Sequence, residues 1–407
     1  MNRKVHTPYY LIFEDRLRSN GRILHDVEVR SGAKILLAEK AYSIYQTYAI
    51  ISEYLSGTTS SGLFEAKLAH EEFGREKEIH VFEPAFDSDE MQELCQISDH
   101  LYFNSLNQLE YHRGVWMEEQ RQREAADRTD LHIALRLNPE LSTQEDHAIY
   151  DPCAPGSRLG IREVTLREYA SKNLEQGQIL PAGVDGLHMH TLCEQGFDDL
   201  QKTWRAFEEH FADYLRLPQI TWVNLGGGHH ITREGYDVDG LVKLLRAIHD
   251  TYQVQVYLEP GEAVVLNAGE LVTRVMDIVD TEVYPVLILD TSAACHMPDV
   301  LEMPYTPPLR EGIAVDQGRE VDSSEDGRYI YRLSSRTCLS GDVIGDYAFD
   351  HELKIGDELH FEDMALYTIV KNNTFNGMPL PSIVLEHENN ELEILREFSY
   401  DNFKARL

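Results

Sequence analysis

Basic residues are scarce in this chain. Thirty-seven Lys and Arg stand against 70 Asp and Glu in 407 residues, a formal charge of −33. A nucleic-acid partner calls for a basic patch or stripe, and an anionic membrane surface for a polybasic segment. Neither partner is therefore expected. Long apolar runs are missing too: a membrane helix needs about 20 mostly apolar residues in succession, and nothing approaches that length. Tyr9–Phe13, followed by Glu14, Asp15 and Arg16, is too short for a secretory leader. Cysteine is sparse. Cys95, Cys153, Cys193, Cys295 and Cys338 are odd in number and never spaced CxxC, which excludes a disulfide framework or a cysteine zinc site and fits a reducing cytoplasm. What is present is an apolar content of 42%, enough for a folded core. The acidic excess favours cationic ligands near the surface, although acidic surfaces also serve solubility.

Eight short apolar runs, most of them followed by turn residues or a helical pattern, lie between Lys34 and Val265. They are Lys34–Ala41, Leu55–Ser61, Ile79–Phe86, Leu101–Asn104, His132–Asn138, Gly183–Leu192, Ile220–Leu225 and Val254–Leu258. Helical patterning occupies Ala41–Leu55, Leu63–Phe73, Glu90–Ile97, Val164–Leu174, Phe197–Leu215 and Val238–Thr251, and Pro139–Gly160 is a longer polar excursion. This alternation predicts parallel strands joined by right-handed helical crossovers. A closed (β/α)8, TIM-like barrel uses about 250 residues, close to this span, and is the expected fold. An open doubly wound sheet is the alternative.

After residue 268 the texture changes. Tyr284–Asp290, Arg328–Leu333, Glu358–Phe361, Ala365–Val370 and Ser382–Glu388 read as strands with few helices between them, as does Tyr9–Phe13. The expected organisation is a barrel over residues 14–267 and a mostly antiparallel β domain from residues 1–13 and 268–407.

Barrel enzymes do their chemistry at the C-terminal ends of the strands. Lys40 leaves the first run, where desolvation would lower its pKa as an imine-forming amine requires; a snorkelling lysine is the plain alternative. His188 and His190 share i, i+2 spacing on the sixth run. Such a pair suits a metal, as in a barrel hydrolase, or one ring could stack on a planar cofactor, or both could be core histidines. Gly226, Gly227 and Gly228 follow the seventh run, where barrels bind phosphate and where glycines let backbone N–H groups converge on an anion; a tight turn explains them equally well. Glu259 ends the eighth run in Glu259–Pro260–Gly261–Glu262. A carboxylate there needs a partner, and the protonated nitrogen of pyridoxal phosphate is one.

With these residues in place, the sequence resembles the pyridoxal-phosphate decarboxylases of the alanine-racemase fold, and within them the branch acting on carboxylated polyamines (carboxynorspermidine and carboxyspermidine). Tyr150–Gly160, Gly186–Gln195, Asn224–Thr232, Asp290–Tyr305 and Thr337–Tyr347 carry the resemblance, which runs nearly end to end. It implies Lys40 as the covalent anchor of pyridoxal phosphate and His190 stacked on its ring. It further implies Gly226–Gly228 and Tyr367 at the phosphate, Glu259 at the pyridine nitrogen and Arg136 near the phenolic edge. Cys338 would reach the site from the partner subunit of a homodimer and act as proton donor; no metal is implied. The relatives' EPGR pattern ends here in Glu262 rather than arginine, and Cys193 replaces a small hydroxyl residue. Leu339 stands where ornithine and diaminopimelate enzymes place an acidic residue, which argues against those substrates. Glu262, Asp299 and Asp342 are the candidates for a cationic substrate tail.

Overall fold

The computed structural model describes residues 5–144, 151–315 and 329–407. Tyr150, the neighbouring part of the Pro139–Gly160 excursion and Arg328 lie outside the described residues. The chain forms two compact units, one of residues up to Leu17 with Val265–Leu407, the other of Arg18–Val264. No helix among the described residues is long and apolar enough to cross a membrane, and all five cysteines are free thiols.

Strand β1 (Tyr9–Phe13) belongs to the first unit; the next nine strands belong to the second. Eight of these close a barrel: β2 (Lys34–Ala38), β3 (Gly57–Ser60), β4 (Glu78–Glu83), β5 (His100–Phe103), β6 (His132–Asn138), β8 (Gly186–His188), β9 (Trp222–Asn224) and β10 (Gln255–Leu258). Each pairs in parallel with the next, and β10 returns to pair with β2. The ring is closed, so the open sheet is excluded. β7 (Ile161–Arg162) adds a short parallel edge to β6. Each of the eight predicted runs coincides with a strand, although β4 and β5 begin one residue before theirs. Even the polar β3 is a wholly buried strand, because parallel strands are covered on both faces.

The outer helices form for ordinary reasons. In Phe197–Leu215, Phe197, Leu200, Trp204, Phe207, Phe211 and Leu215 recur at helical spacing and are buried. In Val238–Tyr252 the Asp237 carboxylate caps the start by accepting from Gly240 N at 2.8 Å, and Gln253 ends it in the left-handed region. Its buried Leu241, Val242, Leu245 and Ile248 each contribute about 1.5–3 kcal/mol. The predicted helix Ala41–Leu55 shrinks to a 3-10 turn, Tyr45–Thr47, and one turn of α-helix, Tyr48–Ile51. There the hydroxyls of Ser43 and Thr47 donate to the carbonyls of Glu39 and Ile44, competing with helical bonding.

In the other unit, β11 (Gly269–Val279), β12 (Val286–Leu289), β13 (Ile313–Val315), β14 (Tyr329–Ser335), β15 (Val343–Phe349), β16 (Glu358–Glu362), β17 (Ser382–Glu386) and β18 (Leu392–Arg396) join β1. Their order is β13-β15-β14-β12-β11-β1-β17-β18, with β16 also on β11. The pairings are antiparallel except β1 with β17 and β12 with β14. The core includes Tyr10, Leu271, Leu287, Leu333, Tyr347 and Phe361. One predicted strand is absent. Ala365–Val370 is a series of turns in which Tyr367 takes φ +52° and Thr368 N donates to Leu366 O at 2.7 Å.

Candidate active site

Because the barrel strands are parallel, their C-terminal ends form one mouth, and five of the predicted site elements meet there. Lys40 sits in the turn after β2. Solvent reaches its side chain, yet the barrel wall crowds it. That crowding, and then the charge of Arg136, hold its amine below the ordinary lysine value, with Glu259 pulling the other way. Arg136, buried on β6, lies 4.5 Å over the Phe82 ring and donates from Nη2 to His190 O at 3.3 Å. Burial brings it down to about 10, so it stays charged at neutral pH.

Strand β8 stops at His188, which leaves His190 in the loop beyond it, where strand alternation no longer sets its direction. Gly227 N donates to His190 Nδ1 at 3.2 Å, which puts the proton of a neutral ring on Nε2. Burial, followed by the charges of Lys40 and Arg136, keeps that ring neutral by lowering its pKa well below the usual imidazole value.

The glycine loop is crowded, and only glycine fits it. A Cβ at Gly227 would sit 2.0 Å from Glu259 O, and one at Gly228 1.9 Å from Leu192 O. Gly226 and Gly228 also hold φ +73° and +81°, conformations costly for other residues. Two of the three amides are engaged: Gly226 N donates to Asn224 Oδ1 at 2.8 Å, and Gly227 N donates to His190. Gly228 N has no partner among the described residues, so an anion would meet one free loop amide rather than three.

Glu259 follows β10 directly. Its Oε1 accepts from Asn224 Nδ2 at 2.8 Å, and His188 Nε2 lies 3.3 Å from Oε2. Burial alone would raise its pKa; His188, and more weakly His80 and Lys40, outweigh burial and hold the carboxyl below the usual range. Glu262, three residues on, contacts His230 Nε2 at 2.8 Å.

The remaining candidates belong to the β domain. Tyr367 holds the positive φ noted above. Cys338 is exposed, and its N donates to Asn376 Oδ1 at 3.0 Å. Asp299 is paired with Lys371, which also contacts Glu302 at 2.7 Å. Asp342 is 1% exposed and spends its carboxylate internally. Oδ2 accepts from the hydroxyls of Ser292 (2.6 Å), Ser335 (2.5 Å) and Thr337 (2.6 Å), and Oδ1 from Ala294 N (3.2 Å).

At the other end of the barrel, the rings of His80, His100 and His132 form a stacked column across β4, β5 and β6, with centroids 3.8 and 4.6 Å apart. Glu78, His80 and His100 are close enough together to suggest a metal site. The His80 and His100 rings are tilted by only 12°, however, so their lone pairs run side by side instead of converging. His188 and His190 are not part of this group.

Residues 147–365 match the family described as pyridoxal-dependent decarboxylase, C-terminal sheet domain. The match covers more than half of the chain. This chain belongs to the pyridoxal-dependent decarboxylases. It is 42% identical over 405 residues, 99% of each chain, to a carboxynorspermidine/carboxyspermidine decarboxylase of Campylobacter jejuni. It is 37% identical over 402 residues, 98% of this chain and 95% of the other, to a carboxyaminopropylagmatine decarboxylase of Synechocystis. A crystal structure of C. jejuni carboxynorspermidine decarboxylase complexed with norspermidine superimposes with a TM-score of 0.85, covering 99% of this chain and 100% of the other at 41% identity. A closed barrel with a mostly antiparallel sheet domain is the alanine-racemase fold of these decarboxylases.

Asn224, Tyr102 and His80 went unnoticed in the sequence. Asn224 stands two residues before the glycine triplet, and that position, an amide side chain at the end of a buried strand, was the available signal.

Proposed function

We propose that this chain removes CO2 from a carboxylated polyamine, carboxynorspermidine or carboxyspermidine, using pyridoxal phosphate and producing norspermidine or spermidine. The observation that carries the reading is the convergence at one barrel mouth of a lysine with a depressed pKa, a neutral histidine, a buried arginine, a glycine loop and an ionised carboxylate. This donor set fits pyridoxal phosphate. Lys40 offers the amine that anchors the aldehyde. His190 offers a neutral ring face, Arg136 a cation near the phenolic edge, and Gly226–Gly228 a surface that no Cβ blocks; to these five elements the proposal adds Tyr367 as a hydroxyl for the phosphate.

When bound, pyridoxal phosphate would supply an electron sink for the pair left as the bond to CO2 breaks. Glu259, held ionised, keeps a proton on the facing pyridine nitrogen. Cys338 Sγ, supplied by the second subunit of a homodimer, delivers a proton to the α-carbon. The positive φ of Tyr367 supports a functional role for that segment, since such strain collects at sites. Of the acidic candidates, Glu262 at the barrel mouth and Asp299 meet the cationic tail in exchange for His230 and Lys371. Asp342 is taken up by its own domain. The free thiols support a reducing cytoplasm.

The test is CO2 release from carboxynorspermidine, carboxyspermidine and carboxyaminopropylagmatine, with ornithine and diaminopimelate as controls. The expected result is turnover of the first two at rates well above the controls. Bound cofactor without turnover of any of them would overturn the reading. Borohydride reduction should fix the cofactor's mass on Lys40.

A further inference from the structure

Behind the mouth, polar side chains run down the inside of the barrel in single file. Asn224 Nδ2 donates to Glu259 Oε1 at 2.8 Å and to the Tyr102 hydroxyl at 2.9 Å. That hydroxyl meets His80 Nδ1 in a short hydrogen bond, and His80 Nε2 lies 3.2 Å from Glu78 Oε2. His80, Tyr102 and Asn224 have no exposed surface, and Glu259 is 7% exposed. Glu78 begins β4 at one end of the barrel and Glu259 follows β10 at the other, so the file spans the barrel core.

Its hydrogens have one consistent arrangement. Gly226 N donates to Asn224 Oδ1, which fixes the amide and turns both Nδ2 hydrogens toward Glu259 and Tyr102. The Tyr102 oxygen then accepts from Asn224, so its own hydrogen must go to His80 Nδ1. An accepting Nδ1 leaves the imidazole proton on Nε2, facing Glu78. Reversing any member would set hydrogen against hydrogen, or leave a buried donor without an acceptor.

We propose that Tyr102 and His80 are positioning residues for Glu259. They hold Asn224 in the orientation that donates to the Glu259 carboxylate, and thereby hold that carboxylate where the pyridine nitrogen meets it. Asn224 also bonds Gly226, so the same file couples the carboxylate to the glycine loop. The inference rests on the functional reading above. Removing the Tyr102 hydroxyl orphans one hydrogen of the fully buried Asn224 amide, and a donor left without its acceptor loosens the amide's hold on Glu259.

Three variants of the full chain test this: Tyr102→Phe, His80→Leu, and His80→Asn, whose Oδ1 keeps an acceptor where Nδ1 was. Ile133→Val, a core change outside the file, controls for general loosening. The measurements are the dissociation constant for pyridoxal phosphate and the ratio of the absorption bands of the bound cofactor. The first two variants should bind the cofactor about tenfold more weakly, the scale of one orphaned buried hydrogen bond, and shift the band ratio. His80→Asn and Ile133→Val should stay near wild type. Unchanged affinity and bands in Tyr102→Phe, or a His80→Asn protein as impaired as His80→Leu, would overturn the proposal. Failure of wild-type protein to take up pyridoxal phosphate would sink the functional reading instead. The file is also tested without cofactor, by nitrogen NMR of the imidazoles: His80 should carry its proton on Nε2, and its signals should move in Tyr102→Phe. If they stay in place, the file is not as described.

Discussion

The sharpest division between reading Asp342 as a substrate contact and reading it as a structural hub comes from replacing it with alanine. Its carboxylate accepts three hydroxyls and one backbone amide at 1% exposure. Hydrogen bonds to a carboxylate are each worth about 1.5–3 kcal/mol, but the losses do not simply add. Ser335 and Thr337 already lie 3.1 Å apart and can bond to each other once the carboxylate is gone. Ser292 can turn, while the Ala294 amide cannot. One orphaned amide and one or two poorly satisfied hydroxyls put the loss at about 3–5 kcal/mol, the range for breaking a buried polar network. For a unit of this size that lowers the melting temperature by about 10 °C. Asp342→Asn keeps a carbonyl for Ala294 N and should lose less, about 1–2 kcal/mol. Calorimetry on both variants reads the effect, with thiol labelling of Cys338 as a second probe, because Ser335 and Thr337 lead into that residue. Cys338 should react faster in Asp342→Ala. An alanine variant that melts within about 2 °C of wild type but needs far more triamine to saturate would refute this reasoning and restore Asp342 to the substrate.

Gly227→Ala should cost at least about tenfold in cofactor affinity, because its Cβ would press on Glu259 O; Gly114→Ala, with nothing within 4 Å, should not, and equal affinities would contradict the crowding argument. The rate at which Lys40 captures pyridoxal phosphate should follow an ionisation below the ordinary lysine value, since crowding and Arg136 disfavour its charged form; a rate that rises only in the range of free lysine would remove that basis. Mixing Lys40→Ala chains with Cys338→Ala chains should restore roughly a quarter of the sites by random pairing of a two-fold dimer, and no recovery would mean that the sites are not shared.

The barrel was legible because parallel strands are buried on both faces and show as short apolar runs cut by turns. Residues that work at strand ends, Lys40 and Glu259, stood out for the same reason: a charge directly after an apolar run is conspicuous. What escaped notice was of two kinds. The helix Arg113–Ala125 buries only Trp116, Glu119 and Arg123, and two of these are charged, so no apolar stripe announces it. The apolar, β-branched run Ala365–Val370 looked like a strand, but the conformation at Tyr367 turns the chain instead. Within the site, Asn224, Tyr102 and His80 resemble ordinary strand residues until their partners on other strands are known. The hydrogen bonds that give them meaning join residues up to 122 positions apart, which no local pattern encodes.

His100, in the imidazole column at the foot of the barrel, makes the protein sensitive to acid. His100 is sandwiched between two rings that can themselves become cations, and burial followed by His80 and His132 keeps its pKa well below 6.5. An unfolded chain has no such restraint and takes up that proton near the ordinary value. Acid therefore favours the open chain: stability is complete above the ordinary imidazole value and falls as the pH drops below it toward the depressed value of the folded ring. Denaturant midpoints should decline between about pH 7 and about pH 5, and decline less in His100→Gln; parallel profiles would show that the column is inert. Neutral imidazoles at both ends of the ring of strands, His100 at the foot and His190 at the mouth, thus tie the acid tolerance of the fold to one barrel.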